Sequence, residues 1–370
     1  MVTILVVVFG VLFFASAWTV EPRPAAFGEP AVSPFGRMMT MRAAHTATRL
    51  EDGRVLLAGG CAGNGCSPFT ASAEIIGPES GAFTDTASMA VPRASHAAAL
   101  LPDGRVLVTG GWSEGAVTRS AEFFDPQAAT FLPAGEMLEP RAGHQAIMLD
   151  DGRILLIGGE PGLNETVATT EIFDPATGAF TAGPTLETSR SSFDAVKLQD
   201  GRVLVVGGHG ENGEILASAE IIDVEAGESG VIGSMNVPRH KHAIALLQDG
   251  RVLVSGGSDT SDYDGRYAST EIFDPADNEF RMGPDMHHAR FKHRDSVITL
   301  PDGRVLIAGG HPEPEIFDPE TGSFLLLEGE APGGLSFASA TLLSDGNVLL
   351  TGGYDDRIRP AIRAWRISLP

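Results

Sequence analysis

Two sets of side chains recur at fixed places in this sequence, and each could carry chemistry. Arg42, Arg93, Arg141, Arg190, Arg239 and Arg290 each stand three residues before a His or a Phe. Guanidinium groups gathered on one face would bind carboxylates or sulfates through paired hydrogen bonds. Glu74, Glu122, Glu171, Glu220, Glu271 and Glu315 follow in the same order. A ring of Arg–Glu pairs that holds repeated units together is therefore the competing reading, and the more conservative one.

The second set follows each Gly-Gly pair: Cys61, Trp112, Glu160, His209, Ser258, His311 and Tyr354. These residues differ in nearly every unit, and unlike side chains on a regular frame are what a ligand site needs. Trp112 and Tyr354 can stack on a sugar ring. Glu160, His209 and His311 can exchange protons near neutral pH when their surroundings shift them. The candidate ligand-binding set is thus the six arginines with Trp112, Glu160, His209, His311 and Tyr354, and no residue is assigned a catalytic role. His209, His240, His287, His288 and His311 gather in units four to six without a metal-ligand spacing, so neither a metal nor another cofactor is expected. Cys61 and Cys66 are expected to form a local disulfide.

The elements that position these residues are legible. Leu-x-Asp-Gly-Arg-Val-Leu followed by Gly-Gly begins at Leu50, Leu101, Leu149, Leu198, Leu247, Leu300 and Leu343, the last copy carrying Asn347 in place of Arg. In the third unit, residues 141–149 read as a first strand and Asp151-Gly152 as a type I′ hairpin turn. The apolar run 153–157 reads as a second strand, buried on both faces. Thr170–Phe173 reads as a third strand, stopped by a turn at 174–178, and Phe180 opens a fourth. Four antiparallel strands in about 49 residues is the period of a propeller blade. The expected fold is all-β, a seven-bladed propeller. Its last blade lacks a fourth strand, which residues 31–38 are expected to supply. Counting from Phe324 as in the other units places Phe337 at the position of the recurring histidines.

The Arg-x-x-His start (Arg93, His96), the Gly-Gly pair, Glu271–Pro275 and the downstream Phe280 resemble the kelch repeat, over residues 31–368. The Asp-Gly-Arg-Val-Leu variant is similar to bacterial kelch proteins and to the propeller of galactose oxidase. That resemblance implies a copper site of two Tyr and two His, one of them from a further domain. With only Tyr263, Tyr267 and Tyr354 available, copper chemistry is not expected. Arginines at equivalent places in eukaryotic kelch propellers contact acidic peptides. Kelch sialic-acid mutarotases, usually six-bladed, need a carboxylate-binding pocket and an acid–base pair. Sialidase Asp-boxes and a Gly-x-Ser-x-Gly elbow are absent from the sequence.

The formal net charge of −22 repels polyanions, so nucleic acid is excluded as a partner. Residues 1–17 read as a signal peptide or N-terminal anchor, although no Lys or Arg precedes the apolar run, and 18–30 as a linker to the propeller at 31–370. The protein is expected to be extracytoplasmic and monomeric, touching a membrane only through an uncleaved N-terminal segment. The leading expectation is a non-enzymatic module that binds a protein or carbohydrate on its Gly-Gly-loop face. The alternative is a carbohydrate-active enzyme, mutarotase-like or galactose-oxidase-like, with Glu160, His209 or His311 as acid–base candidates.

Overall fold

The computed structural model describes residues 31–77, 80–332 and 335–370. The expected signal or anchor, the linker and Gly334 lie outside the described residues. Seven four-stranded antiparallel sheets follow one another around an axis. Blade 3 is representative: Gln145–Met148 nearest the axis, then Ile154–Ile157, Thr170–Asp174 and Ala179–Ala182 outermost. The second strand of each blade is nearly all apolar because neighbouring blades cover both its faces; Thr109, Ser255 and Thr351 are the polar exceptions. Ile154, Leu155, Leu156 and Ile157 are all fully buried. Among the described residues, no helix is long and apolar enough to cross a membrane.

The Asp-Gly turns depart from the expected type. Gly152 has φ of +85°, while Asp151 is not in the left-handed region. The turn is a three-residue loop closed by Gly152 N–H to Leu149 O (3.1 Å) and Leu149 N–H to Arg153 O (2.8 Å). Asp151 is used differently: its carboxylate accepts the Arg153 backbone N–H at 3.0 Å and the Arg153 Nε at 2.6 Å. The recurring arginine after each Asp-Gly therefore closes its own turn; Arg54 reaches the next blade only through Pro126 O.

The first glycine of each Gly-Gly pair is required by close packing between blades. A Cβ on Gly110 would stand 2.2 Å from the Arg141 carbonyl and 2.9 Å from the His144 ring of the next blade. The ring closes as expected: Val32–Arg42 pairs antiparallel with Ala361–Ile367, Val32 opposite Ile367, as the outer strand of blade 7.

Candidate active site at the mouth of the central channel

The six recurring arginines do not form an exposed collar. All are fully buried. Arg141 shows why: Nη1 donates to Gly158 O (2.9 Å) and Thr169 O (2.8 Å), Nη2 to Thr169 Oγ1 (2.8 Å), and Nε to Glu171 Oε1 (3.0 Å). Glu171 also accepts the backbone N–H groups of Leu138 and Glu139, in the segment arriving from blade 2. Arg42, Arg93, Arg190, Arg239 and Arg290 repeat the pairing with Glu74, Glu122, Glu220, Glu271 and Glu315. The donors are consumed inside the fold, so these residues staple blades together and present no guanidinium face to a ligand.

The recurring histidines are also internal. His45, His144 and His293 have their pKa values lowered to about 3, by burial first and then by the adjacent arginine. Their Nε2 atoms bond to Thr351, Thr109 and Ser255 of the preceding blade.

Before each recurring histidine, or the residue in its place, lies a residue that, Phe337 apart, the sequence did not single out. Ala44, Ser95, Gly143, Ser192, Lys241, Lys292 and Phe337 all have φ between 50° and 62°. Their backbones link around the axis. Ser95 N–H donates to Ala44 O (2.9 Å), Gly143 to Ser95 (2.8 Å), Lys241 to Ser192 (2.8 Å), Lys292 to Lys241 (2.8 Å), Phe337 to Lys292 (2.7 Å) and Ala44 to Phe337 (3.0 Å). At the remaining junction the Gly143 carbonyl accepts from Arg294 Nη1 at 3.4 Å. Left-handed backbone is costly for six of these seven residues, and the circumferential hydrogen bonds offset that cost. Phe337 belongs to this ring and not to the histidine position. Ala338 fills that position, approached by Gly353 as His45 is by Gly60.

The ring forms the mouth of the channel, where a cavity of about 220 Å³ opens. Of the expected residues it gathers Trp112 and Glu160, beside Lys241, Lys292, Arg294, Asp295 and Phe337. Lys241 Nζ and Lys292 Nζ both reach Asp262, at 2.7 Å and 3.3 Å. Burial pushes the Glu160 carboxyl up; a Ser191 hydrogen bond and the Lys241 charge pull it back. Burial pulls the Lys241 ammonium down, opposed by its bond to Asp262 and assisted by Lys292. His209 packs against His240, ring centres 4.0 Å apart and planes tilted by 51°, and burial followed by Lys241 lowers its pKa. Tyr354 sits behind the mouth, its ring 5.6 Å from Phe337 and 5.7 Å from Lys292 Nζ. His311 lies apart on blade 6, stacked on His288. Cys61 and Cys66 are disulfide-bonded, Cα atoms 4.6 Å apart.

Lys241, Lys292 and Arg294 went unrecognised. The available signal was the one that marked the residues after Gly-Gly: a position in a regular unit whose occupant changes from blade to blade.

The architecture defines a class, the seven-bladed β-propeller. No protein-family profile and no curated protein matches the chain. Among solved structures, it is similar to a "novel fungal alcohol oxidase with catalytic diversity among the AA5 family, in complex with copper". The TM-score is 0.72 at 17% identity, covering 92% of this chain and 76% of that one. It is also similar to YjhT, with a TM-score of 0.62 at 12% identity, covering 79% of this chain and 99% of that one. The alcohol oxidase is an enzyme, and this likeness corrects the leading expectation: it favours the alternative, an enzyme, over a non-enzymatic binding module. The chemistry of the mouth agrees with that correction, since a carboxyl and an ammonium with perturbed pKa values line one cavity. Copper does not fit here. Three imidazoles, of His45, His96 and His242, line the cavity with two ammonium groups, a guanidinium and two carboxylates, but no phenol joins them, so the set of two Tyr and two His is not met.

Proposed function

We propose that the protein is an extracytoplasmic carbohydrate-active enzyme of the kelch type that interconverts the anomers of a carboxylate-bearing sugar at the channel mouth. The observation that carries this reading is the pair Glu160 and Lys241, in one cavity, with their pKa values displaced toward each other. A base raised toward neutrality and an acid lowered toward it are the conditions for proton exchange at pH 7.

Glu160 takes the proton of the anomeric hydroxyl while the ring C–O bond breaks and a carbonyl forms. Lys241 delivers a proton to the departing ring oxygen. Rotation of the open chain and the reverse transfers close the ring on the other face, leaving both residues as they began. Lys292 and Arg294 hold the substrate carboxylate, and Trp112 packs against the sugar ring. The disulfide supports an address outside the cytoplasm.

The test is NMR exchange between sialic acid anomers, with and without protein. The expected result is acceleration that falls by roughly 10²–10⁴ in Glu160→Gln. Exchange no faster than in buffer overturns the reading.

A further inference from the structure

We infer that the rim of blade 6 carries a site for one divalent transition-metal ion of the zinc class, ligated by His288, His311 and Glu313. The donor atoms of these three residues lie within 4.8 Å of one another. None of them lines the cavity at the channel mouth, so the site is separate from the one assigned to proton exchange.

The geometry is that of an incomplete coordination sphere. His288 Nε2 stands 2.9 Å from Glu313 Oε2. It is buried and makes no hydrogen bond. A lone-pair nitrogen facing a carboxylate oxygen is unfavourable unless a proton or a metal cation joins them. His311 Nδ1 stands 3.9 Å from the same Glu313 Oε2 and accepts the Glu313 backbone N–H at 3.3 Å, a long bond that a metal ion would replace. The two imidazole rings stack with centres 3.7 Å apart and planes 11° apart.

The backbone is prepared for the task. His311 and Glu313 alternate with Pro312 and Pro314, which fix φ along the segment. The Pro312 and Pro314 carbonyls accept from Ala331 N–H (2.9 Å) and Leu327 N–H (3.0 Å). The other arm is held by Glu315, whose carboxylate accepts the backbone N–H groups of His287 (2.7 Å) and His288 (3.2 Å). Glu315 is itself locked to buried Arg290. Both arms therefore rest on one rigid Arg–Glu staple, while the three ligating side chains are about a third exposed and free to turn inward. Two imidazoles and one carboxylate select zinc-like ions over magnesium or calcium and leave coordination positions open to water.

Chelator-stripped full-length protein titrated with ZnCl2 should bind one equivalent at micromolar metal. CoCl2 should give visible d–d absorption that zinc abolishes. His288→Ala and His311→Ala should each weaken binding at least about 100-fold, and Glu313→Gln about 10-fold or more. Their metal-free melting curves should match the parent protein. His209→Ala should retain full affinity, which excludes the His209–His240 pair, and Lys241→Met should do the same, which separates the site from the proposed catalytic one. No stoichiometric zinc binding, or unchanged affinity in His288→Ala or His311→Ala, overturns the proposal.

Discussion

Arg141 and Glu171 meet at 3.0 Å, Nε to Oε1, with side chains 0% and 1% exposed. Six such pairs tie blades 1 to 6 each to the segment arriving from the blade before, so these arginines hold the scaffold. Removing the guanidinium strands a buried carboxylate that also anchors two backbone amides. Arg141→Ala should cost about 3–5 kcal/mol of stability. Denaturant unfolding monitored by tryptophan fluorescence checks this, and a variant as stable as the parent would remove the staple argument.

The buried histidines predict how stability follows pH. His45, His144 and His293 fall from an ordinary 6.5 to about 3 in the folded state. Between those values the unfolded chain binds more protons, so stability rises with pH and is lost as pH falls below 6.5. Each histidine contributes up to about 1.4 kcal/mol per pH unit. Asp194 opposes them: burial raises its folded pKa from 3.8 to about 7, so acidification over that window favours the folded state for this one group. Three groups outweigh one, and the melting temperature should fall steadily from pH 6.5 to 4.5. A flat profile in that window would contradict the assigned burial.

The scaffold was legible because it is periodic. Asp-Gly turns, apolar second strands and Gly-Gly pairs recur seven times, and each recurrence tests the last. The missing outer strand of blade 7 was legible for the same reason, since Val32, Gly36 and Met38 match positions in complete blades. Where the period slips, the reading slipped with it: one residue of offset before blade 7 moved Phe337 from the histidine position onto the mouth. The site was only partly visible. Trp112 and Glu160 follow Gly-Gly and were found. Lys241, Lys292 and Arg294 converge from blades 5 and 6 because left-handed backbone turns their segment toward the axis. The sequence does not announce that conformation where the residues are not glycine. Arginine repetition was ambiguous between a collar and a staple, and burial decides it.

Lys241 holds the Glu160 pKa down, against the larger upward effect of burial. With Glu160 acting as base, activity is lost as pH falls through its pKa. Lys241→Met removes a neighbouring positive charge, so the acid limb of kcat should move to higher pH, and kcat itself should fall because the proton donor is gone. Lys292→Met should instead raise KM for the anionic sugar and leave that limb in place. Rates of anomer exchange measured from pH 4 to 9 at saturating substrate separate the two roles; identical profiles for both variants would refute the division.

The closure of the ring offers the sharpest test of the fold. Val32 and Met38 are buried in the outer strand of blade 7, against a partner strand that carries buried Trp365 and Ile367. Ser368 N–H adds a bond to Ala31 O at 2.8 Å. Truncation through Met38 exposes these side chains and opens a sheet edge at the point where the two ends of the chain meet. Val32 and Met38 alone represent roughly 3–6 kcal/mol of lost burial. Because blade 7 also supplies Thr351 to His45 of blade 1, the loss should propagate into the neighbouring blade instead of fraying locally. The truncated protein should melt well below the parent and show faster amide exchange in both Val348–Tyr354 and Thr46–Arg49. An unchanged melting temperature, or exchange confined to the last strand, would show that the N-terminal strand is an ornament and not the clasp.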